Sequence, residues 1–138
     1  MTHIEQIRPE LTWRLRRDVL YPAMKMFEME MDEDTYGIHF GAFKNDELVG
    51  VVSLFKNENR FQFRKLAVKT LMQNKGIGSA LLNYITNYAL ENKGAKIWCN
   101  ARVPAIGFYL KSGFIQTGNL FSKNGFDYEI MEKDVSGI

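Results

Sequence analysis

The stretch QNKGIGSALL, residues 73–82, sets two glycines one residue apart at the door of an apolar run with helical periodicity. Upstream stands RFQFRKLAV (60–68), rich in aromatic and branched residues, which reads as a strand. From Gly78 onward the apolar residues fall at Leu81, Leu82, Ile85, Tyr88 and Ala89, one face of a helix. That helix is expected to end near ENKG, with Gly94 as its C-cap. A strand, a glycine loop and a helix in this order offer an anion site, because free amides and the helix dipole both favour negative charge there. The glycines remove side chains that hold a phosphate away, Lys75 adds charge, and Ser79 adds a hydroxyl. A simple glycine turn explains the loop equally well.

Two common phosphate motifs fail on residue identity. G-x-G-x-x-G fits Gly76 and Gly78 but meets Leu81 at its third position, and KIWCNAR (96–102) ends without the expected acidic residue. G-x-x-x-x-G-K-[ST] cannot be aligned to the stretch at all.

Outward from this unit, FDYEIMEK and FIQTGNLF flank SKNG, where Asn124-Gly125 is a strong hairpin signal. YGIHFGAF (36–43), ELVGVVSLF (47–55) and the strand at 60–68 are separated by Asn/Asp clusters, as antiparallel hairpins are. HIEQI (3–7) reads as a short strand. Pro9 opens a helix with an apolar stripe at Leu11, Leu15 and Val19, which Tyr21-Pro22 ends. The Met-rich, acidic residues 23–35 form either a short helix or a flap. AKIWCNA (95–101) is a strand, and PAIGFYLKSG (104–113) a brief helix with Gly113 beyond its end. The helical crossover from 60 to 101 favours one parallel pair.

Composition bounds the rest. With 138 residues, 46% hydrophobic and 25% charged, the chain is expected to be one soluble globular domain spanning 1–138. A formal charge of +2 gives no argument for nucleic acid, and Arg14, Arg16 and Arg17 read as a solvated helix face. The single Cys99 lies in an apolar run and reads as an inert buried thiol; no Cys/His spacing suggests a metal. No signal-type start and no apolar stretch near 18 residues is found, so no membrane contact and a cytoplasmic location are expected.

Q-x-x-G-x-G after a strand ending LAV, joined downstream to A-x-x-F-Y-x-K-x-G-F (Ala105, Phe108, Tyr109, Lys111, Gly113, Phe114), resembles the GCN5-related N-acetyltransferase (GNAT) superfamily. RRDVLYP, IHFGAFKNDELVGV and FSKNGFDYEIM are similar to its ElaA-like subgroup. The resemblance implies an α/β (α+β) fold: a mixed, mostly antiparallel sheet with a central V-shaped splay and flanking helices. It implies acetyl-CoA as co-substrate and direct acetyl transfer to a primary amine. The pyrophosphate is then expected on Gln73, Asn74, Lys75, Gly76, Ile77, Gly78 and Ser79. Leu66 and Val68 offer backbone hydrogen bonds to the pantetheine arm, Ala67 an N–H to the thioester carbonyl, and Asn100 a side chain to the arm. Phe108 joins the cofactor side; Lys111 reaches a CoA phosphate or is an ordinary exposed helix lysine; Tyr109 is the implied acid, a tyrosine packing a helix face being its alternative.

The base is where the sequence departs from the family. Many relatives carry a glutamate on the strand before Q-x-x-G-x-G; here Gln62 and Arg64 alternate onto one face and no carboxylate is present. His39 has the right chemistry for a base and fits a hydrogen-bonded sheet histidine equally well. Glu28, Glu30 and a water chain are weaker candidates. Arg64 suits an acceptor bearing a carboxylate or phosphate, although a structural ion pair leaves the same trace. The acceptor is a small-molecule or peptide amine of unidentified structure, and an exposed C-terminal edge makes a homodimer an option. The rivals are a non-catalytic acyl-CoA-binding module that kept the cleft and lost its base, and a structural domain with incidental glycines.

Overall fold

The computed structural model describes residues 2–135; the outermost positions of the expected domain, 1 and 136–138, lie outside them. The described chain forms two compact units, residues 2–55 with 63–85 and residues 56–62 with 86–135.

In the first unit, β1 (Thr2–Ile7) pairs antiparallel with β2 (Ile38–Lys44), from Thr2↔Lys44 to Ile7↔His39. β2 pairs antiparallel with β3 (Glu47–Asn57). Their turn is carried by Asn45 and Asp46 at φ 51° and 65°. Two consecutive left-handed residues match the strand twist, and Asn and Asp are the residue types that tolerate them. β4 (Arg60–Val68) lies beside β3 and matches the expected span. α2 (Ile77–Glu91) buries Leu81, Leu82 and Ile85. Gly50 of β3 lets it approach, since a Cβ there meets Ile77 and Leu81 side chains at 3.0 Å.

The first helical run departs from its expected stripe. A 3-10 turn (Pro9–Thr12) leads into α1 (Trp13–Leu15) and a π-helical segment (Arg16–Leu20). The stripe assumed four-residue spacing, but a 3-10 turn has three residues per turn. Leu11 is therefore exposed, and Thr12 takes the buried place above Leu15. Residues 23–35 contain two short 3-10 turns, Met26–Met29 and Asp32–Tyr36, the second reaching one residue beyond, and no longer helix.

In the second unit, β5 (Lys96–Arg102) pairs parallel with the start of β4 over three residues, Arg60↔Lys96 to Gln62↔Trp98. β5 pairs antiparallel with β7 (Phe126–Asp134) along its whole length, and β7 with β6 (Ile115–Lys123). Asn124 and Gly125, at φ 52° and 83°, make the expected hairpin turn. α3 (Ile106–Lys111) ends at Gly113, φ 91°, with Gly113 N–H donating to Leu110 and Phe114 N–H to Tyr109. The strands are hydrogen-bonded in the order β1-β2-β3-β4-β5-β7-β6, and β4 contributes to both units. This is the mixed, mostly antiparallel sheet with helices that the sequence led us to expect.

The end of α2 corrects one detail. Lys93, not Gly94, takes the left-handed position (φ 65°). Gly94 follows it and donates to the Ala89 carbonyl at 2.7 Å. Its missing side chain serves close packing instead: a Cβ stands 2.7 Å from that carbonyl oxygen and 2.9 Å from the Phe61 ring. Gly94→Ala is expected to lower stability by about 1–3 kcal/mol through overpacking, seen as a lower urea midpoint. An unchanged midpoint contradicts the close-packing role.

Candidate functional site

β4 starts as a two-faced strand, with Phe61 and Phe63 buried and Gln62 and Arg64 half-buried. Lys65 then takes φ 58°. A left-handed lysine costs about 1–3 kcal/mol and marks a place where the fold over-determines the backbone. One extra residue in a strand reverses which face the following side chains meet. Two contacts show the reversal. Arg64 lies over the Phe55 ring at 5.9 Å, and Ala67 packs with Leu15 and Val51. Val51, Ser53 and Phe55 alternate onto one face of β3, so Arg64 and Ala67, three residues apart, meet the same face. The Lys65 ammonium donates to the Tyr21 hydroxyl and sits 4.5 Å from that ring's centroid. Leu66 and Val68 flank Ala67 half-buried.

Beyond β4, Gln73 donates from its side-chain amide to the Val68 carbonyl at 3.0 Å, pinning the loop to the strand end. Asn74 and Gly76 adopt φ 62° and 85°. Open space surrounds the position of a Cβ on Gly76. Ala80 N–H donates to the Gly76 carbonyl, closing the first turn of α2. The amides of Ile77, Gly78 and Ser79, before it, have no partner within the helix. Gln73, Asn74, Lys75, Gly76 and Ser79 are exposed. A row of amides without helix partners at the positive end of a 15-residue helix, beside an exposed loop, fits a phosphate-bearing group.

The second unit holds the remaining expected residues. Gln62 pairs with Trp98 in the parallel register. Asn100 is exposed on β5, and its side chain has no partner among the described residues. Phe108 and Lys111 are exposed on α3. Tyr109 is partly buried, its ring 6.1 Å from Phe114. Burial first, then the nearby Cys99 thiol, push the Tyr109 hydroxyl above the usual phenol range, against a lowering by the Arg102 guanidinium. Tyr109 therefore keeps its proton throughout the neutral range. Cys99 is a free, buried cysteine whose thiol burial pushes up to about 12, as an inert core thiol requires.

His39 is 2% exposed, and both ring nitrogens are engaged. Nε2 lies 2.9 Å from the Asp34 carbonyl, and Nδ1 2.7 Å from the Ser53 hydroxyl. A carbonyl only accepts, so Nε2 carries the proton and Nδ1 accepts from Ser53. No lone pair is left for a substrate proton, which fits the hydrogen-bonded sheet histidine of the two options. Beside it, Arg16 overturns its expected place on a solvated face: it is 1% exposed. Its guanidinium forks onto Asp34, Nη1 to Oδ2 at 2.9 Å and Nη2 to Oδ1 at 3.0 Å, and also donates to Met29 O and Ser53 Oγ. Burial raises the Asp34 carboxyl. Hydrogen bonds from Arg16 and the Met31 N–H, with the charge of Arg16, outweigh that and hold it below its usual range.

The sequence did not single out Lys65, Asp34 or Glu33. Glu33 Oε2 accepts from Arg64 Nη1 at 2.8 Å, placing a carboxylate over β4 from the turn Asp32–Tyr36. Glu28 is occupied in capping, accepting from Lys25 N–H at 2.8 Å, and Glu30 is exposed without a partner among the described residues. Among those residues no group of His, Cys, Asp and Glu is arranged to hold a metal ion, and no helix is long and apolar enough to cross a membrane.

Residues 10–135 match the family model described as Acetyltransferase (GNAT) domain. The chain is similar to the Bacillus subtilis (strain 168) protein "Uncharacterized N-acetyltransferase YitI", 24% identical over 140 residues, covering 95% of this chain and 94% of the relative. Among solved structures it is similar to Escherichia coli ElaA, with a TM-score of 0.71, 16% identity and coverage of 96% of this chain and 99% of that one. It is also similar to a GNAT family acetyltransferase from Elizabethkingia anophelis with acetyl-CoA bound: TM-score 0.77, 20% identity, 96% and 97% coverage.

Asp34 gives the site's network a pH signature. Its carboxyl pKa is lowered in the folded state, so its contribution is present above the ordinary carboxylate range and lost as pH falls through the folded value. Asp34→Asn is expected to cost about 3–5 kcal/mol at pH 7, because Arg16 is left buried without a counter-charge. The variant's deficit should shrink as urea unfolding is repeated from pH 5 towards pH 2. A constant deficit contradicts this assignment.

Proposed function

As this chain belongs to the acetyltransferase (GNAT) domain family, we propose that it moves acetyl from acetyl-CoA to a primary amine by direct transfer. The observation that carries this reading is the row of amides without helix partners at Ile77 to Ser79, beside an open Gly76 and downstream of a β4 with a left-handed Lys65. The single family match from 10 to 135 runs through both compact units, which supports one acetyltransferase domain.

Acetyl-CoA supplies an activated acetyl thioester and a diphosphate handle. The amides of Gly76, Ile77, Gly78 and Ser79 bind the diphosphate, helped by the α2 dipole and Lys75. Gln73 holds the loop in place through the Val68 carbonyl, and Val68 offers its backbone to the pantetheine arm. Leu66 adds its backbone to the arm, and Asn100 its unpaired amide. The Ala67 N–H stabilises negative charge on the carbonyl oxygen as the amine attacks. Tyr109 hands its proton to the departing thiolate. Being a weaker acid than an ordinary phenol, it keeps that proton until charge develops on sulfur. On the acceptor side, Gln62 and Arg64 face the incoming amine. His39 is held in the sheet by Ser53 and the Asp34 carbonyl.

Solved structures of this fold include a spermidine N-acetyltransferase chimera and an aminoglycoside 6'-N-acetyltransferase. Small amines are therefore the first acceptors to test. The missing carboxylate on β4 favours one alternative, a binding module without turnover, and release of CoA thiol in an amine screen separates the two.

Acetyl-CoA at about 100 times its Kd is expected to stabilise the fold by about 2.7 kcal/mol, since the unfolded chain does not bind it. Gly78→Val should abolish most of that shift; equal shifts in both proteins contradict the amide cradle. Tyr109→Phe should slow acetyl transfer about 10²-fold, the low end for a general acid, with cofactor affinity nearly unchanged. Wild-type kcat in the Phe variant, where chemistry limits the rate, rules out Tyr109 as the acid.

A further inference from the structure

Resting on the transferase reading above, we propose that Glu33 is the general base, the carboxylate that β4 itself lacks. Amine transfer needs a group to take the ammonium proton before the nitrogen can attack. The other carboxylates and the histidine around β4 in the first unit are committed elsewhere or not held to the strand. His39 has both nitrogens committed. Asp34 is spent on Arg16 and the Met31 amide. Glu28 caps its own turn. Glu47 pairs with Lys69, past the end of β4 on the loop side. Glu30 and Asp32 are exposed, and nothing among the described residues holds them to the strand.

Glu33 is the carboxylate that the fold brings onto β4. Its Oε2 is fixed by Arg64 Nη1 at 2.8 Å, while its Oε1 has no partner among the described residues and its side chain is 52% exposed. Arg64 in turn is steadied by the Phe55 ring. The turn bearing Glu33 is anchored one residue later, where Asp34 forks with buried Arg16. The carboxylate is thus held at one oxygen and open at the other. Arg64 and Ala67 share a face three residues apart, and strand rise of about 3.3 Å per residue sets them roughly 10 Å apart along the chain. The arginine side chain and one bridging water span that interval. Exposed pairs of this kind contribute little stability, so Glu33 can turn towards an incoming ammonium without unfolding anything.

The proton and electron balance is complete. Glu33 Oε1 accepts one proton from the ammonium and passes it to water. The freed nitrogen lone pair forms the N–C bond to the acetyl carbon, and the C–S bond breaks with its electron pair on sulfur. Tyr109 protonates the thiolate and is restored by the second proton leaving nitrogen, so each turnover releases one proton. Arg64 is a positioning residue in this scheme.

The test follows CoA-thiol release by the full chain with whichever of spermidine, kanamycin and an alanine-terminated peptide it turns over. Glu33→Gln is expected to lower kcat/KM about 10²-fold at pH 7. The loss should narrow towards pH 10, where the amine sheds its proton unaided; a merely structural role gives a pH-independent loss. Glu33→Asp should recover part of the rate, and Arg64→Gln should lower kcat with a smaller change in pH profile. The acetyl-CoA thermal shift should be the same in all variants, which checks folding separately. Wild-type turnover in Glu33→Gln, or a loss equal at every pH, overturns the role of Glu33 alone. A wild type inactive on all three amines overturns the transferase reading and this inference with it.

Discussion

Buried Arg16 ties together parts of the first unit that are far apart in sequence. Its guanidinium meets Met29, both oxygens of Asp34 and Ser53, so a helical run, two 3-10 turns and β3 converge on one side chain. A charge buried this completely is tolerated only because nearly all its donors are satisfied. The consequence for function is positional. In the acidic segment before β2, Met29 is buried while Met24 and Phe27 are exposed. Pinning Asp34 places Glu33 at Arg64.

β4 is the second constraint. A left-handed lysine in the middle of a nine-residue strand is locally unfavourable, and it persists because the two halves of the strand have different partners. The first half joins β5 in parallel and sends Phe61 towards Tyr88 of α2. The second half turns Ala67 towards Leu15 and Val51. The strand that reads as an ordinary alternation is thus where the packing face changes. Immediately after it, the chain delivers an open row of amides at the head of α2. In the proposed reading, recognition of the diphosphate and polarisation of the thioester both rest on backbone groups, which composition does not reveal.

What was legible in the sequence was local. Turn residues such as Asn124-Gly125 and the change from strand to helical period at Gly78 placed the elements, and β4 fell where the aromatic run put it. The proposed cradle at 73–79 is contiguous, so one stretch of sequence displays it. Long-range pairing was not legible. Nothing in RLRR distinguishes Arg16, which turns inward, from Arg14 and Arg17. Its partner lies 18 residues away in a segment with five acidic residues, and the pattern does not say which one is buried. Leu11 was misplaced because the spacing assumed α geometry where the chain makes a 3-10 turn. Gly94 looked like a left-handed cap because glycine usually is one, whereas steric closeness to Phe61 and Ala89 explains it. The bulge at Lys65 has no sequence signal, since lysine is not a residue that favours it.

The central claim, that backbone amides at the head of α2 receive the diphosphate of acetyl-CoA, is tested most directly by mapping amide signals in a ¹⁵N NMR titration with coenzyme A. The account predicts the largest shifts at Gly76, Ile77, Gly78 and Ser79, with further shifts at Leu66 and Ala67, and none at the remote Asn124-Gly125 turn. Saturating coenzyme A that leaves the 76–79 amides unmoved, or moves them no more than the Gly125 amide, would contradict it.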